Sequence, residues 1–365
     1  MLPLRIKILH IININGGTIE AENTATEYVA RAISNNTGII KINGGTISAT
    51  SDNANAYGVD NYSTGTVNVY GGIITATIKN STYFSAGIYN HSGGTINIFA
   101  GASIEAVNNV ESGGYAYGIR SDGDTAIVLV TGGTMKYTCA SCVGYGLATT
   151  GGTATIAGGT IKNIYNSSIL NVNSGSTGNV NNGSGGTVYI SGGTIGSVTN
   201  NSTATRSMSL AGNSYTVTVG ISSRGGYSTT VSSLTNSVAG RVYIRGYSTT
   251  YKATISGIVK NNNSSGDVTV YSNGVISGTT TNAGKFYALG GTVSAITNSN
   301  YVNVDSGSTG SITNNSTATR NMSLAGTEYE ATVGISSRDG YSTTVASVSN
   351  TVAGRVGIKG YSSTY

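Results

Sequence analysis

The residues of this chain that could do chemistry are few, and their spacing is read first. Fourteen Asp and Glu side chains and two histidines, His10 and His91, serve 365 positions. The best acidic pair is Asp122 and Asp124, in Ser121-Asp-Gly-Asp-Thr125. Residues two apart on a strand point to one side, so both carboxylates could face one ligand. Stacking of coils could add Asp60 or Glu105. Glycoside hydrolysis uses two carboxylates about 5 to 10 Å apart, so a polysaccharide lyase or glycoside hydrolase is the alternative that these acids keep open. The same stretch also reads as a turn, where Asp and Gly are favoured for backbone reasons. The other acids stand mostly alone in variable loops, so no catalytic residue is assigned. Cys139 and Cys142 form a lone Cys-x-x-Cys. A structural zinc needs four ligands and a thioredoxin-like site needs a helix start. Neither is visible, which leaves a loop disulfide or two plain thiols and implies no metal or cofactor.

Tyrosine is the abundant aromatic, 24 residues against three phenylalanines and no tryptophan. Tyr57, Tyr117 and Tyr145 hold matching places in successive repeats. In a parallel stack such residues lie about 4.8 Å apart, and an exposed tyrosine ladder is a platform for glycans. The alternative is that the rings cover an edge or fill space beneath loops. The basic residues Arg206, Arg224, Arg241, Arg245, Lys252 and Lys260 follow one another with no acid among them up to Lys260. They suggest a basic face for an anionic glycan or a cell-wall polymer. The alternative is a solvated edge where charge prevents strand pairing. Nothing points to a specific nucleic acid partner.

The elements that must position these residues are set by composition and repeats. Glycine supplies 54 residues, Pro3 is the only proline, and 38% of residues are hydrophobic while 9% are charged. Val, Ile and Thr recur in short alternating runs, which suit a pleated, half-buried surface. Near-absence of proline fits a backbone committed to ladder hydrogen bonds. Gly-Gly-Thr-Ile or a variant begins at Gly16, Gly44, Gly71, Gly132, Gly158 and Gly192, with a looser copy at Gly101. The spacing of about 26 to 34 residues lies in the solenoid range. Ala-Tyr-Gly-Val/Ile elements fall between copies, giving a unit of Gly-Thr-Val-x-Val-x-Gly-Gly-Thr-Ile-x-Ala, a polar loop, then Ala-Tyr-Gly-Ile-x-Asn. The Gly pair allows the positive φ of a corner. The expectation is an all-β, right-handed parallel β-helix of about a dozen coils, rather than a propeller with its longer blade. Residues 1–198 form coils of about 28 residues. Residues 199–251 recur at 313–365, an offset of 114 residues with about a quarter of positions changed. The joining stretch 252–312 continues the solenoid less regularly. No capping element is read at the C-terminus, so the chain is expected to be a monomer or part of a longer array. Met1–Ile14 reads as a first strand rather than a signal peptide, and no run is long and apolar enough to span a membrane.

The pattern Val67-Asn-Val-Tyr-Gly-Gly-Ile-Ile-Thr-Ala76, with Ala-Tyr-Gly-Ile between copies, resembles the low-complexity β-helical repeats of large surface proteins from gut Gram-positive bacteria. Asn173-Ser-Gly-Ser-Thr-Gly178 through Gly192-Gly-Thr-Ile195 is similar to the Ser-Gly-Gly-Thr repeats of autotransporter adhesin passengers. The likeness covers most of the chain. It implies an extracellular or cell-surface location and an adhesive or stalk role, with host glycans, extracellular matrix or cell-wall polymer as partners. It carries over no binding residue.

Overall fold

A computed structural model describes residues 11–25, 28–110 and 113–364. The reading of Met1–His10 lies outside these residues, while Ile11–Ile14 forms a strand. Among the described residues there are strands and turns and no helix, and so none long and apolar enough to cross a membrane. The strands stack in parallel as a β-helix. Two compact units are formed, Met1–Val180 and Asn181–Tyr365. Thr187–Ile190 and Gly193–Asn200 fall in the second of these units and pair with Val219–Ser222 and Thr229–Asn236.

In the first unit one ladder runs through Ile11–Ile14, Ile39–Ile42, Thr66–Ile78, Thr95–Asn108, Ile127–Val130, Thr153–Ile161 and Ile169–Thr177. Alternate residues point inward, so Ile40, Val67, Ile96, Val128, Ala154 and Leu170 form a buried column. The second glycine of the tetrad turns a corner at positive φ, 91° for Gly45 and 92° for Gly72. A Cβ on Gly45 would lie 2.5 Å from the Gly17 carbonyl oxygen, so the next coil closes over this corner only if it is glycine. A second ladder carries Ala30–Asn35, Ala56–Asn61, Phe84–Asn90, Tyr115–Ser121 and Val143–Thr149.

The second unit keeps the plan with fewer residues per turn. Its first ladder is Thr187–Ile190, Val219–Ser222, Arg241–Arg245, Asp267–Tyr271, Lys285–Leu289, Tyr301–Asp305, Val333–Ser336 and Val356–Lys359. The described residues place seven rungs of this ladder in the first unit and eight here, and some coils shorten to 16 residues, as from Phe286 to Val302. The strands Ala253–Ile255 and Val259–Asn261 pair in parallel with Thr229–Asn236.

Each copy of the duplicated segment also contains an element that is not solenoid. Arg206–Leu210 and Asn213–Val217 pair antiparallel, as do Arg320–Leu324 and Thr327–Ala331. Ala211 and Gly212 (φ 47° and 82°) make the two-residue turn, the geometry that suits a tight hairpin. The hairpin lies on the outside of the coil with Met208 and Leu210 buried. A Cβ on Gly220 would fall 2.8 Å from Leu210 Cδ2 and 2.9 Å from Met208 Sδ. Gly220→Val is therefore expected to lift the hairpin off. Amide exchange and proteolysis within 206–217 rise, while the coil strands on either side keep their protection because their own ladder pairing is untouched.

An asparagine ladder runs through the interior. In the first unit Asn35 Nδ2 donates to Asn61 Oδ1, and Asn61 Nδ2 donates to Asn90 Oδ1, each at 2.8 Å. In the second unit the same link joins Asn182, Asn200, Asn236, Asn261, Asn282, Asn298, Asn314 and Asn350 at 2.8–3.1 Å. All but Asn350 are fully buried. Most also donate to a turn carbonyl, Asn236 to Gly240 and Asn61 to Gly65 for example. Buried polar groups are tolerated only when paired, and here each rung supplies the partner of the next.

Candidate functional site

The outward side chains of the second ladder in the first unit form the most elaborate surface of that unit. Tyr117 and Tyr145 are in register on neighbouring strands, their rings stacked at 6.5 Å and 11°. Tyr115 extends the stack at 6.0 Å and 7°, with 46% of its surface exposed. Tyr165 continues it beyond Tyr145 at 5.5 Å. Tyr57 departs from the expected exposed ladder, being 4% exposed. The rung between Tyr57 and Tyr117 is Ala86. Phe84 fills that gap at 5.3 Å from Tyr57 and 5.9 Å from Tyr117, and the Arg31 guanidinium lies over the Tyr57 ring. Burial pushes the Tyr57 hydroxyl far above its ordinary pKa and Tyr117 up to about 12. Both remain neutral phenols.

The carboxylates beside this strip are occupied. Asp60 is fully buried and is paired with Arg31, Tyr62 Oη at 2.6 Å and His91 Nε2 at 2.8 Å. His91 stacks on Tyr62 at 4.4 Å and packs against Tyr89. Asp122 accepts two bonds from Arg120 Nε at 2.9 and 3.0 Å, one from Tyr89 Oη at 2.8 Å and one from Thr150 Oγ1 at 2.9 Å. Burial, the largest single influence, would raise the Asp122 carboxyl, but the bonds and charge of Arg120 together with the bonds from Tyr89 and Thr150 hold the group below the usual carboxylate range. A general acid needs the opposite shift. Arg120 also lies 4.4 Å from the Phe84 ring centre and 5.2 Å from that of Tyr117, tying the acids to the aromatic strip. Next to them His91, Ser92, Asp122, Gly123, Asp124 and Thr125 line a cleft of about 490 Å³. Asp124 is exposed at its mouth. Glu105 is elsewhere, paired with Lys136 at 2.8 Å. Cys139 and Cys142 are joined in a disulfide, one of the two alternatives left open above. No group of three or more metal-ligating side chains occurs among the described residues.

The six basic residues of the second unit do not share one face. Arg241 and Arg245 bracket one strand of the first ladder. Arg206 opens the hairpin, donates to Thr187 Oγ1 at 3.0 Å, and has its pKa lowered by burial. Arg224 sits in a turn over the Tyr227 ring at 4.4 Å. Lys252 is exposed just before Ala253–Ile255, and Lys260 is exposed on the separate ladder of Val259–Asn261, between Thr235 and Thr281. Three short strands per coil turn the chain through three sides, so closeness in sequence does not become closeness in space.

Sequence reasoning did not find a second aromatic group, Tyr215, Tyr243 and Tyr271, with ring centres 4.8–5.6 Å apart. Arg245 Nη1 donates to Tyr215 Oη at 3.0 Å. The signal was the Tyr at alternate positions of Arg241-Val-Tyr-Ile-Arg245 and Asp267-Val-Thr-Val-Tyr271. Comparison with protein families, curated proteins and solved structures gives no match to this chain.

Proposed function

We propose that the chain is a non-enzymatic, surface-exposed or secreted structural repeat protein that adheres through glycans, using the first-unit strip Tyr115, Tyr117, Tyr145 and Tyr165. The observation that carries this reading is the row of near-parallel rings of Tyr115, Tyr117 and Tyr145, at 7° and 11°. Aromatic faces with polar tips suit pyranose rings, which have apolar faces and hydroxyl edges. The adjoining cleft adds Asp124, exposed at its mouth, for hydroxyl contacts. Tyr57 is left out of the strip, since it is buried and packs on Phe84. Host glycans, matrix and cell-wall polymer remain the partner classes.

The test is titration of the full chain with glycans chosen from an array. Tyr117→Ala combined with Tyr145→Ala is expected to weaken binding at least about tenfold, the equivalent of 1.4 kcal/mol, with the melting transition retained. Unchanged affinity would remove the strip from the reading. An enzyme on the same scaffold needs two carboxylates available for proton transfer. Incubation of the chain with acidic and neutral polysaccharides tests this directly. New reducing ends or unsaturated products, lost in Asp122→Asn, would overturn the non-enzymatic reading.

A further inference from the structure

The duplicated hairpins bracket a stretch of the second unit's first ladder. Hairpin 206–217 covers Val219–Ser222 and reaches Arg241–Arg245. Hairpin 320–331 covers Val333–Ser336, and also touches Tyr301–Asp305 and Val356–Lys359. The two covered strands are five steps apart, about 24 Å at the strand spacing. Between them the strands Asp267–Tyr271 and Lys285–Leu289 carry neither hairpin.

The pairing registers arrange the outward side chains of this floor in rows that cross the strands. One row is Arg241, Asp267 and Lys285; a second is Tyr243, Thr269, Tyr287 and Asn303. Tyr271 and Leu289 lie in the third, beside Arg245. Both walls are aromatic. Tyr215 of the first hairpin packs on Tyr243 and Tyr271, and Tyr287 packs on Tyr301, which is buried against Met322 and Leu324 of the second. Tyr243, Tyr271 and Tyr287 are half-buried, so part of each ring is open.

We infer that this floor is a second glycan-binding site, taking an extended β-linked oligosaccharide laid across the strands from one hairpin toward the other. Tyr243 and Tyr287 stand two coils apart in one row, about 10 Å. Alternate rings of a flat β-1,4-linked glycan present the same face at a comparable repeat, so the two tyrosines can stack on two rings with one ring between them. Thr269, itself buried, lies between them and makes no contact of its own with the glycan. Arg241, Asp267 and Lys285 run parallel to the tyrosines and offer donors and an acceptor to the hydroxyl edge.

Three further observations point the same way. Asp267 is partly buried, bonded to Thr269 Oγ1 at 2.8 Å, and its carboxyl is raised by burial; the fold keeps it there at a cost. Arg245 Nε is buried and finds no partner among the described residues. The copies of the duplicated segment also differ here. Where the first has Tyr243, the second has Gly357, and a Cβ there would lie 2.9 Å from Leu324 Cδ1 of its own hairpin. The second hairpin closes over that place, whereas the first leaves a tyrosine in it.

This site shares no residue with the first-unit strip, so the two readings can fail separately. The experiment is calorimetric titration of the full chain with cellohexaose and chitohexaose at low and moderate salt. Tyr243→Ala with Tyr287→Ala is compared with Tyr117→Ala with Tyr145→Ala. The expected result is loss of one class of sites in the first variant, at least about tenfold in affinity, little changed by salt and retained in Tyr243→Phe with Tyr287→Phe. Phenylalanine keeps the ring, so its retention separates stacking from folding. Binding by the parent chain that the alanine pair leaves intact overturns this inference alone. Binding lost only in Tyr117→Ala with Tyr145→Ala does the same and leaves the strip standing. No binding of either oligosaccharide, or binding only of heparin that fades with salt, overturns it and assigns the floor to anionic polymer or to none.

Discussion

Asn261→Leu is expected to lower the unfolding free energy by about 2–4 kcal/mol, because it breaks an asparagine ladder at an internal rung. Asn261 Nδ2 donates to Asn282 Oδ1 and to the carbonyls of Gly266 and Lys285, and its Oδ1 accepts from Asn236 Nδ2. Leucine is near in volume, so the loss is of pairing rather than of packing, and buried groups on both neighbouring coils are left short of a partner. Asn350 occupies the same position on an exposed rung. Asn350→Leu should therefore cost under about 1 kcal/mol, since water can replace the lost bonds. Equal losses at the two positions in urea would show that the ladder carries no special share of stability. Asn261→Asp adds a sign test. A carboxyl buried there has its pKa raised by burial. Its variant should be the less stable at neutral pH and regain stability as pH falls toward the ordinary carboxylate range near 4. The parent chain lacks that gain.

The coil plan was legible because glycine and β-branched residues answer to local geometry. Gly45 and Gly72 sit at positive φ where the tetrads put them, and Tyr117 and Tyr145 pair in register as their shared motif implies. The exposure of a ring was not legible, because it depends on residues outside the motif. Phe84 fills the space that Ala86 leaves open, and this buries Tyr57. The asparagine ladder was half legible. In Leu234-Thr235-Asn236 a period of two puts Asn236 on the side of Leu234, yet asparagine at the end of a repeat reads as a turn residue. Only the neighbouring coil shows that it points inward and is paired. The hairpins escaped for another reason. Ser207-Met-Ser-Leu-Ala-Gly-Asn-Ser-Tyr-Thr-Val217 alternates like any strand, and period two does not distinguish an antiparallel pair from a parallel coil. Arg241 and Lys260 part company because two corners, invisible as charge, lie between them.

Phe286→Ala should be the most damaging single substitution in the second unit, at about 3–5 kcal/mol. One inward column there reads Val188, Val219, Val242, Val268, Phe286, Val302, Val333 and Val356. The lone phenylalanine is fully buried and falls where coils are shortest, 18 residues after Val268 and 16 before Val302. A short coil supplies few inward side chains, so a single large ring does the filling that several smaller residues share elsewhere. Phe286→Val restores the column's own residue and isolates that point. If the short coil can draw in, the cost falls to about 1 kcal/mol; if its width is fixed by neighbouring rungs, most of the alanine loss remains. A stacked array is held by nearest-neighbour interfaces. Weakening one inner coil should therefore separate unfolding of the segments on either side, giving two steps in urea where the parent second unit gives one. A single, merely shifted transition would mean that cooperativity spans the short coils without Phe286.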